Sequence, residues 1–255
     1  MDSWRSALVN HNETDIWMRG YEIGALMKRA SFPAVVFLLH RGELPTPGEE
    51  KLLNAILIAS ADHNSGAPSV ATARLVASGN RQSLSAAVGA GMLAIGNEHG
   101  GAGEQCMEMI GRVAKAARDE GISIEQAAIN AVAAARASGK RLPGFGHRRH
   151  TTDPRVAVMF DMAREVGVAG DGVATITAIE QALAAAVKAL PTNVDGALAA
   201  LLYDMGFPPS AGKLLFMVGR VAGLTAEVAE EHAREKPMRI KFPVVYDGVP
   251  PRELP

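Results

Sequence analysis

The sequence predicts an all-α fold, and three observations predict it. Apolar residues recur at the spacing of one buried helical face through most of the 255 residues. Helix start and stop signals punctuate them at short intervals. Strict apolar-polar alternation is confined to one short stretch, 239–246. Hydrophobic residues make up 48% of the chain, enough to pack one large domain or two modest ones.

Taken in order, a first helix ends before Gly42, and Thr46-Pro47-Gly48-Glu49 opens the next. This is a capping box with Pro at the first helical position, followed by Leu52, Leu53, Ile56 and Leu57 on one face. Helices are then expected over 69–78, 83–95 and 103–118. Gly89 and Gly91 lie inside an apolar helical pattern, where each costs about 1 kcal/mol relative to Ala. Close helix-helix approach is the expected compensation, within the chain or at an interface between subunits. Ser123-Ile124-Glu125-Gln126 repeats the capping device before an Ala-rich stretch to Ser138, and Gly139 supplies the stop. Further helices are expected over 154–166, 172–190, 194–205, 210–222 and 225–235. Residues 236–255 hold five prolines and are expected to wrap a neighbouring surface.

Composition removes several function classes. Twenty-six Lys and Arg against 27 Asp and Glu leave a net charge of -1, so no global field attracts nucleic acid or anionic lipid. The single cysteine, Cys106, excludes an intramolecular disulfide framework and the multi-cysteine zinc patterns. A cytoplasmic location is expected, since residues 1–12 hold no apolar run of signal-peptide length. The longest apolar runs, 34–39 and 86–95, fall well short of the roughly 20 residues of a membrane-spanning helix.

Chemistry concentrates in the loops between helices, where polar groups on a rigid scaffold can converge. Three loops carry histidine: Ala61-Asp62-His63-Asn64, the glycine-rich 96–103 segment around His99, and Pro143-Gly144-Phe145-Gly146-His147-Arg148. A fourth, Pro191-Thr192-Asn193-Val194-Asp195-Gly196, carries a carboxylate. A neutral imidazole at His99, beside a helix N-terminus, suits an oxygen that gains negative charge, such as a thioester enolate. A simple capping histidine reads equally well. Lys140, Arg141, Arg148, Arg149 and Arg155, with one acid, Asp153, make a local anion site or a solvated charge run. Asp195 reads first as the N-cap of the following helix; a partly dehydrated carboxylate there could also move a proton on carbon. Arg220, inside an apolar helix, needs a partner or a substrate. No dinucleotide fingerprint, Walker loop or nucleophile elbow is present, and no metal site is expected, because the histidines lack close ligand pairing.

In their order along the chain, these loops resemble the citrate synthase superfamily. Arg19-Gly20-Tyr21, Gly42-Glu43-Leu44-Pro45-Thr46, Asp153-Pro154-Arg155 and Asn193-Val194-Asp195-Gly196 extend the likeness over roughly 19–240. Only one helix stands where full-length synthases carry a large additional helical portion, so the chain resembles the short, stand-alone citryl-CoA lyase form. The resemblance implies a citrate synthase-like fold, with a large helical domain from 1–115 and 220–255 and a small one from 116–219. It implies action on the carbon-carbon bond between acetyl-CoA and oxaloacetate, with citryl-CoA or citrate as the other reactant.

By the same likeness His99, His147 and Asp195 are catalytic, while His63, Arg148, Arg155 and Arg220 hold substrate carboxylates. The coenzyme A segment is Lys140, Arg141, Pro143, Gly144, Phe145 and Gly146. Coenzyme A enters as a thioester substrate or product, no cofactor is tightly held, and a homo-oligomer is implied. Two other expectations stand beside the lyase: a citrate or 2-methylcitrate synthase, and a non-catalytic sensor of coenzyme A or citrate. A helical scaffold subunit explains the Ala-rich core but not the loops.

Overall fold

The computed structural model describes residues 3–146 and 153–254. His147 and Arg148, two of the predicted site residues, lie outside the described residues. The chain opens with a small antiparallel meander, β1 (Val9–His11), β2 (Ile16–Met18) and β3 (Tyr21–Glu22), in that spatial order. Strands of two or three residues are too short to set up a readable alternation. Their turns fix them instead: Asn12 Oδ1 accepts from the backbone N–H of Thr14 and Asp15, and Arg19 and Gly20 both sit at positive φ. The alternating 239–246 segment, by contrast, forms no strand, and Phe242, Val244, Val245 and Tyr246 are exposed.

Eleven helices follow among the described residues: α1 (Ile23–Arg29), α2 (Phe32–Arg41), α3 (Pro47–Ala61), α4 (Pro68–Gly79), α5 (Leu84–Leu93), α6 (Ala102–Glu120), α7 (Ile124–Ala137), α8 (Pro154–Glu165), α9 (Asp171–Ala186), α10 (Val194–Asp204) and α11 (Ala211–Arg234). Both arms of the Thr46 capping box form. At Ser123 only the serine arm forms, and the Gln126 side-chain N–H donates to Asn130. Gly42 and Gly139 end their helices in the left-handed conformation, with φ of 86° and 65°.

The core is built around α10, whose residues 197–202 are fully buried. Leu52, Leu53 and Ile56 of α3, Ile110 of α6, Ile176 and Ile179 of α9, and Leu215 of α11 close around it. Each such side chain contributes about 1.5–3 kcal/mol relative to exposure. A smaller cluster joins Val70, Ala73 and Ala77 of α4 and Ala87 of α5 to Leu224 and Val228 of α11. Helix α11 therefore runs through both clusters.

Two sequence expectations need correction here. The helices expected over 210–222 and 225–235 are one, since Gly223 does not end a helix but allows a close crossing. A side chain at Gly219 would stand 2.6 Å from the Leu57 carbonyl, and one at Gly223 would overlap the Ala61 carbonyl of α3. The helix expected to reach Leu190 stops at Ala186. Of the two glycines in α5, Gly91 makes the expected close approach, to the Ser69 carbonyl and to Ala73 and Leu224, whereas Gly89 has open space.

The C-terminal segment is fastened at its start. The Met238 N–H donates to the Ser78 carbonyl, and the fully buried Glu231 accepts from both Arg74 and Arg239. No helix among the described residues is long and apolar enough to cross a membrane.

Candidate active site

His99 lies in a turn pinned by paired backbone hydrogen bonds between Gly96 and His99. Gly100, at φ 71°, is packed so closely that a side chain there would overlap the Phe216 ring. The imidazole reaches the start of α4, where the residue before the helix, Ala67, offers no side-chain cap. His99 Nε2 accepts from the Ser69 N–H at 3.2 Å and lies 2.8 Å from Ser69 Oγ. His99 does not cap α6, the helix that follows it, which has no side-chain cap among the described residues; it accepts instead from the first turn of α4, thirty residues upstream. That bond also decides the tautomer: a nitrogen that accepts an amide hydrogen holds none, so the neutral ring carries its proton on Nδ1.

Arg220 is 2% exposed, and its surroundings explain how an apolar helix tolerates it. The close crossing at Gly219 and Gly223 brings the end of α3 alongside, and Arg220 Nε donates to the Ser60 carbonyl at 2.8 Å. Nη1 donates to Ser69 Oγ at 3.3 Å, and the guanidinium lies 5.0 Å from the Phe216 ring centre. No ion pair to Arg220 forms among the described residues. Burial lowers its proton affinity, which the carboxylates of Asp62 and Asp195 oppose. Ser69 therefore joins His99 to Arg220. It went unremarked in the sequence because only the fold brings its hydroxyl between them.

Asp195 does not cap α10. That role belongs to Asn193, whose Oδ1 accepts from the Gly196 N–H at 3.1 Å. Asp195 instead sits in the first turn with Oδ1 shut from solvent and without a hydrogen-bond partner among the described residues. Burial pushes its carboxyl up to about 6, against the pull of Arg155 and Arg220 and with a smaller push from Asp153. Cys106 is fully buried, and its thiol is raised by burial and then by the charge of Asp195.

Arg155 is more engaged than a free substrate arginine. It grips Asp153 with Nε at 2.9 Å and Nη2 at 2.7 Å, and its Nη1 donates to the Ala59 carbonyl. Three of its five N–H groups are used, leaving two. His63 is half-buried in the loop that follows α3.

The 140–146 segment borders a groove of about 520 Å³. Lys140, Arg141, Phe145 and Gly146 line it, together with Arg136 at the end of α7 and Lys188 just past α9. The early stop of α9 leaves Lys188 free of the helix. No Asp or Glu lines the groove, and none of its four cations makes an ion pair or side-chain hydrogen bond among the described residues. Apolar side chains, Val132, Leu142 and Leu183 among them, form its wall. Such a surface suits an elongated ligand with anionic groups and an apolar body. Arg136 and Lys188 were not singled out in the sequence; their position at helix ends is an ordinary one for cations.

Pro143 and Gly144 do not line this groove. Gly144, at φ 89°, packs against Gly196, and a side chain on it would stand 2.7 Å from Cys106 Sγ. Around it the loop is strapped to the approach of α10: the Asn193 N–H donates to Gly144 at 3.0 Å, Gly146 N–H to Pro191 at 2.8 Å, and Asn193 Nδ2 to Gly146 at 2.9 Å. The groove wall is thus hydrogen-bonded to the segment that leads into the carboxylate.

Comparison with known proteins follows the same residues. The family model described as "Citrate synthase, C-terminal domain" matches residues 45–241. The citrate synthase of Heyndrickxia coagulans is 28% identical over 222 residues, covering 86% of this chain and 56% of that protein. The 2-methylcitrate synthase of Shewanella oneidensis is 29% identical over 220 residues, 85% of this chain and 55% of its own length. The chain spans about half the length of the curated relatives it matches. Among solved structures, the citryl-CoA lyase from Hydrogenobacter thermophilus superposes with a TM-score of 0.89 at 36% identity, covering 99% of this chain and 97% of that one. Because the family model runs without a break across the His99 turn, the α10 carboxylate and the α11 arginine, the chain belongs to the citrate synthase family.

Proposed function

We propose that the chain is a citryl-CoA lyase, splitting citryl-CoA into acetyl-CoA and oxaloacetate. The observation that carries this reading is the likeness to a solved citryl-CoA lyase over nearly the whole of both chains, at 36% identity and a TM-score of 0.89.

The site chemistry supports it. Citryl-CoA carries a tertiary hydroxyl and three carbonyl functions, two of them carboxylates. Arg220 and the two unused N–H groups of Arg155 bind the carboxylates, with His63 and Arg148 assisting. His147, assigned on the family resemblance, takes the hydroxyl proton. The carbinol carbon becomes the ketone of oxaloacetate as its bond to the thioester methylene breaks, and the electron pair passes into the thioester enolate. His99, with its proton on Nδ1, donates a hydrogen bond to the enolate oxygen. Asp195, whose raised carboxyl holds a proton further towards neutrality than an ordinary acid, delivers it to the methylene carbon and completes acetyl-CoA.

The groove holds coenzyme A in this reading, with Lys140, Arg141, Arg136 and Lys188 facing its phosphates. Residues 1–115 with 220–255 form the large domain and 116–219 the small one, closing over the substrate in a cytoplasmic homo-oligomer. No cofactor is tightly held.

A citrate or 2-methylcitrate synthase is the second reading, favoured by the names of the curated relatives. The test is to supply citryl-CoA and follow oxaloacetate, then to supply acetyl-CoA or propionyl-CoA with oxaloacetate and follow free thiol. Rapid cleavage without thiol release is expected. Steady thiol release in the second assay makes the protein a synthase, and binding without turnover of any of these thioesters makes it a sensor.

A further inference from the structure

We infer that Asn193 is a positioning residue that ties the placement of Asp195 to the loop lining the groove, so that the nucleotide end of a thioester substrate raises turnover as well as affinity. This rests on the reading of the groove as a coenzyme A site and of Asp195 as the proton donor.

The Asn193 side chain is used at both ends. Its Oδ1 accepts from the Gly196 N–H and so starts α10, while its Nδ2 donates to the Gly146 carbonyl in the groove wall. Its backbone N–H donates to the Gly144 carbonyl, and Gly146 N–H returns a bond to Pro191. A cap alone requires only the first of these contacts. The remaining three, with Thr192 paired to Phe145, join 144–146 to 191–193 as a short two-stranded strap.

Behind the strap the two backbones touch. Gly196 lies so close to the Gly144 carbonyl that any side chain on it would overlap that oxygen, and Gly144 lies against both Gly196 and Cys106. Asp195 stands between Asn193 and Gly196, with Oδ1 lacking any partner of its own among the described residues. No hydrogen bond among the described residues holds the carboxylate, and the pull of Arg155 and Arg220 is not directional, so its position follows chiefly from the backbone on either side. A ligand that orders Phe145 and Gly146 from the groove thereby orders the segment carrying the acid. Contact energy from a non-reacting part of the substrate then appears in the chemical step, which is how remote binding groups raise kcat.

The experiment compares citryl-CoA with citryl-pantetheine, which lacks the nucleotide, in the full-length protein and in Asn193→Ser. Serine keeps a capping oxygen but cannot reach Gly146. The unsubstituted protein should turn over citryl-CoA at least about 10-fold faster at saturation than citryl-pantetheine. In Asn193→Ser that kcat ratio should fall to about 1 while the ratio of KM values persists. Asn193→Asp, which keeps the cap acceptor and loses the donor to Gly146, should collapse the ratio in the same way and serves if the serine variant does not fold.

Hydrogen exchange supplies a readout without turnover. Adding coenzyme A should protect the amides of 192–196 in the unsubstituted protein and not in either variant. If the kcat ratio survives in both variants, or coenzyme A protects 192–196 equally in all three proteins, the strap does not transmit and the inference is overturned, with the lyase reading intact. Absence of any coenzyme A binding would overturn the lyase reading itself, and the inference with it.

Discussion

Two half-buried carboxylates, one at each end of α10, face different surroundings. Asp204, at its C-terminal end, accepts from the backbone N–H groups of Gly170, Gly172 and Val173 and thereby caps α9. Asp195, at its N-terminal end, has an enclosed oxygen with no partner among the described residues. Burial raises both carboxyls; the three amides pull Asp204 back, whereas Asp195 is opposed only by the more distant charges of Arg155 and Arg220. The same residue type holds a helix start where donors surround it and keeps an unpaired oxygen where they are withheld.

The largest expected effect tests the N-terminal end, which holds the acid of the proposed lyase. Asp195→Asn and His99→Ala should each lower kcat for citryl-CoA cleavage by about a thousandfold or more, with KM little changed. Full turnover in either variant removes that residue from the chemistry. Next is the structural end. Asp204→Ala leaves three amides at the start of α9 uncapped and should cost about 2–4 kcal/mol in urea unfolding. A loss under 1 kcal/mol would erase the contrast between the two acids.

Third, Asp195→Asn should stabilise the fold even as it abolishes activity. The folded carboxyl keeps its proton to about pH 6, whereas an unfolded one releases it near pH 4. The folded state therefore binds more protons in that window, and the charge destabilises progressively from about pH 4 to 6 and by a constant amount above. The variant should gain about 1–3 kcal/mol at pH 8, with the gain vanishing by about pH 4. The smallest effect concerns the groove. Arg136→Gln with Lys188→Gln should raise KM for citryl-CoA about 10-fold, or ~1.4 kcal/mol, with the shift shrinking as salt is added.

Much of this was legible in the residues because it is local. The Thr46 box, the Gly42 and Gly139 stops and the glycine turn at His99 depend on neighbours within four residues, and each forms as expected. Asp195 shows the limit of such reading. Asn193 and Asp195 stand two apart at one helix start, and only the path of the chain decides which side chain turns back to cap and which turns into the protein. Ser69, 30 residues from His99 and 151 from Arg220, gives no local sign of either contact. The meander strands were too short to be recognised. The single α11 looks like two helices in the sequence because a mid-helix glycine resembles a stop until the helix crossing against it is seen.

That crossing has a consequence for how variants of this protein are classified. Gly219 and Gly223 flank Arg220, so bulk added at either would tilt the guanidinium away from Ser60 and Ser69 together. A screen scoring such changes as packing defects would overlook that the interlocking of two helices here also aims a buried guanidinium. The close crossing and the orientation of a buried cation are written into the same turn and a half of α11.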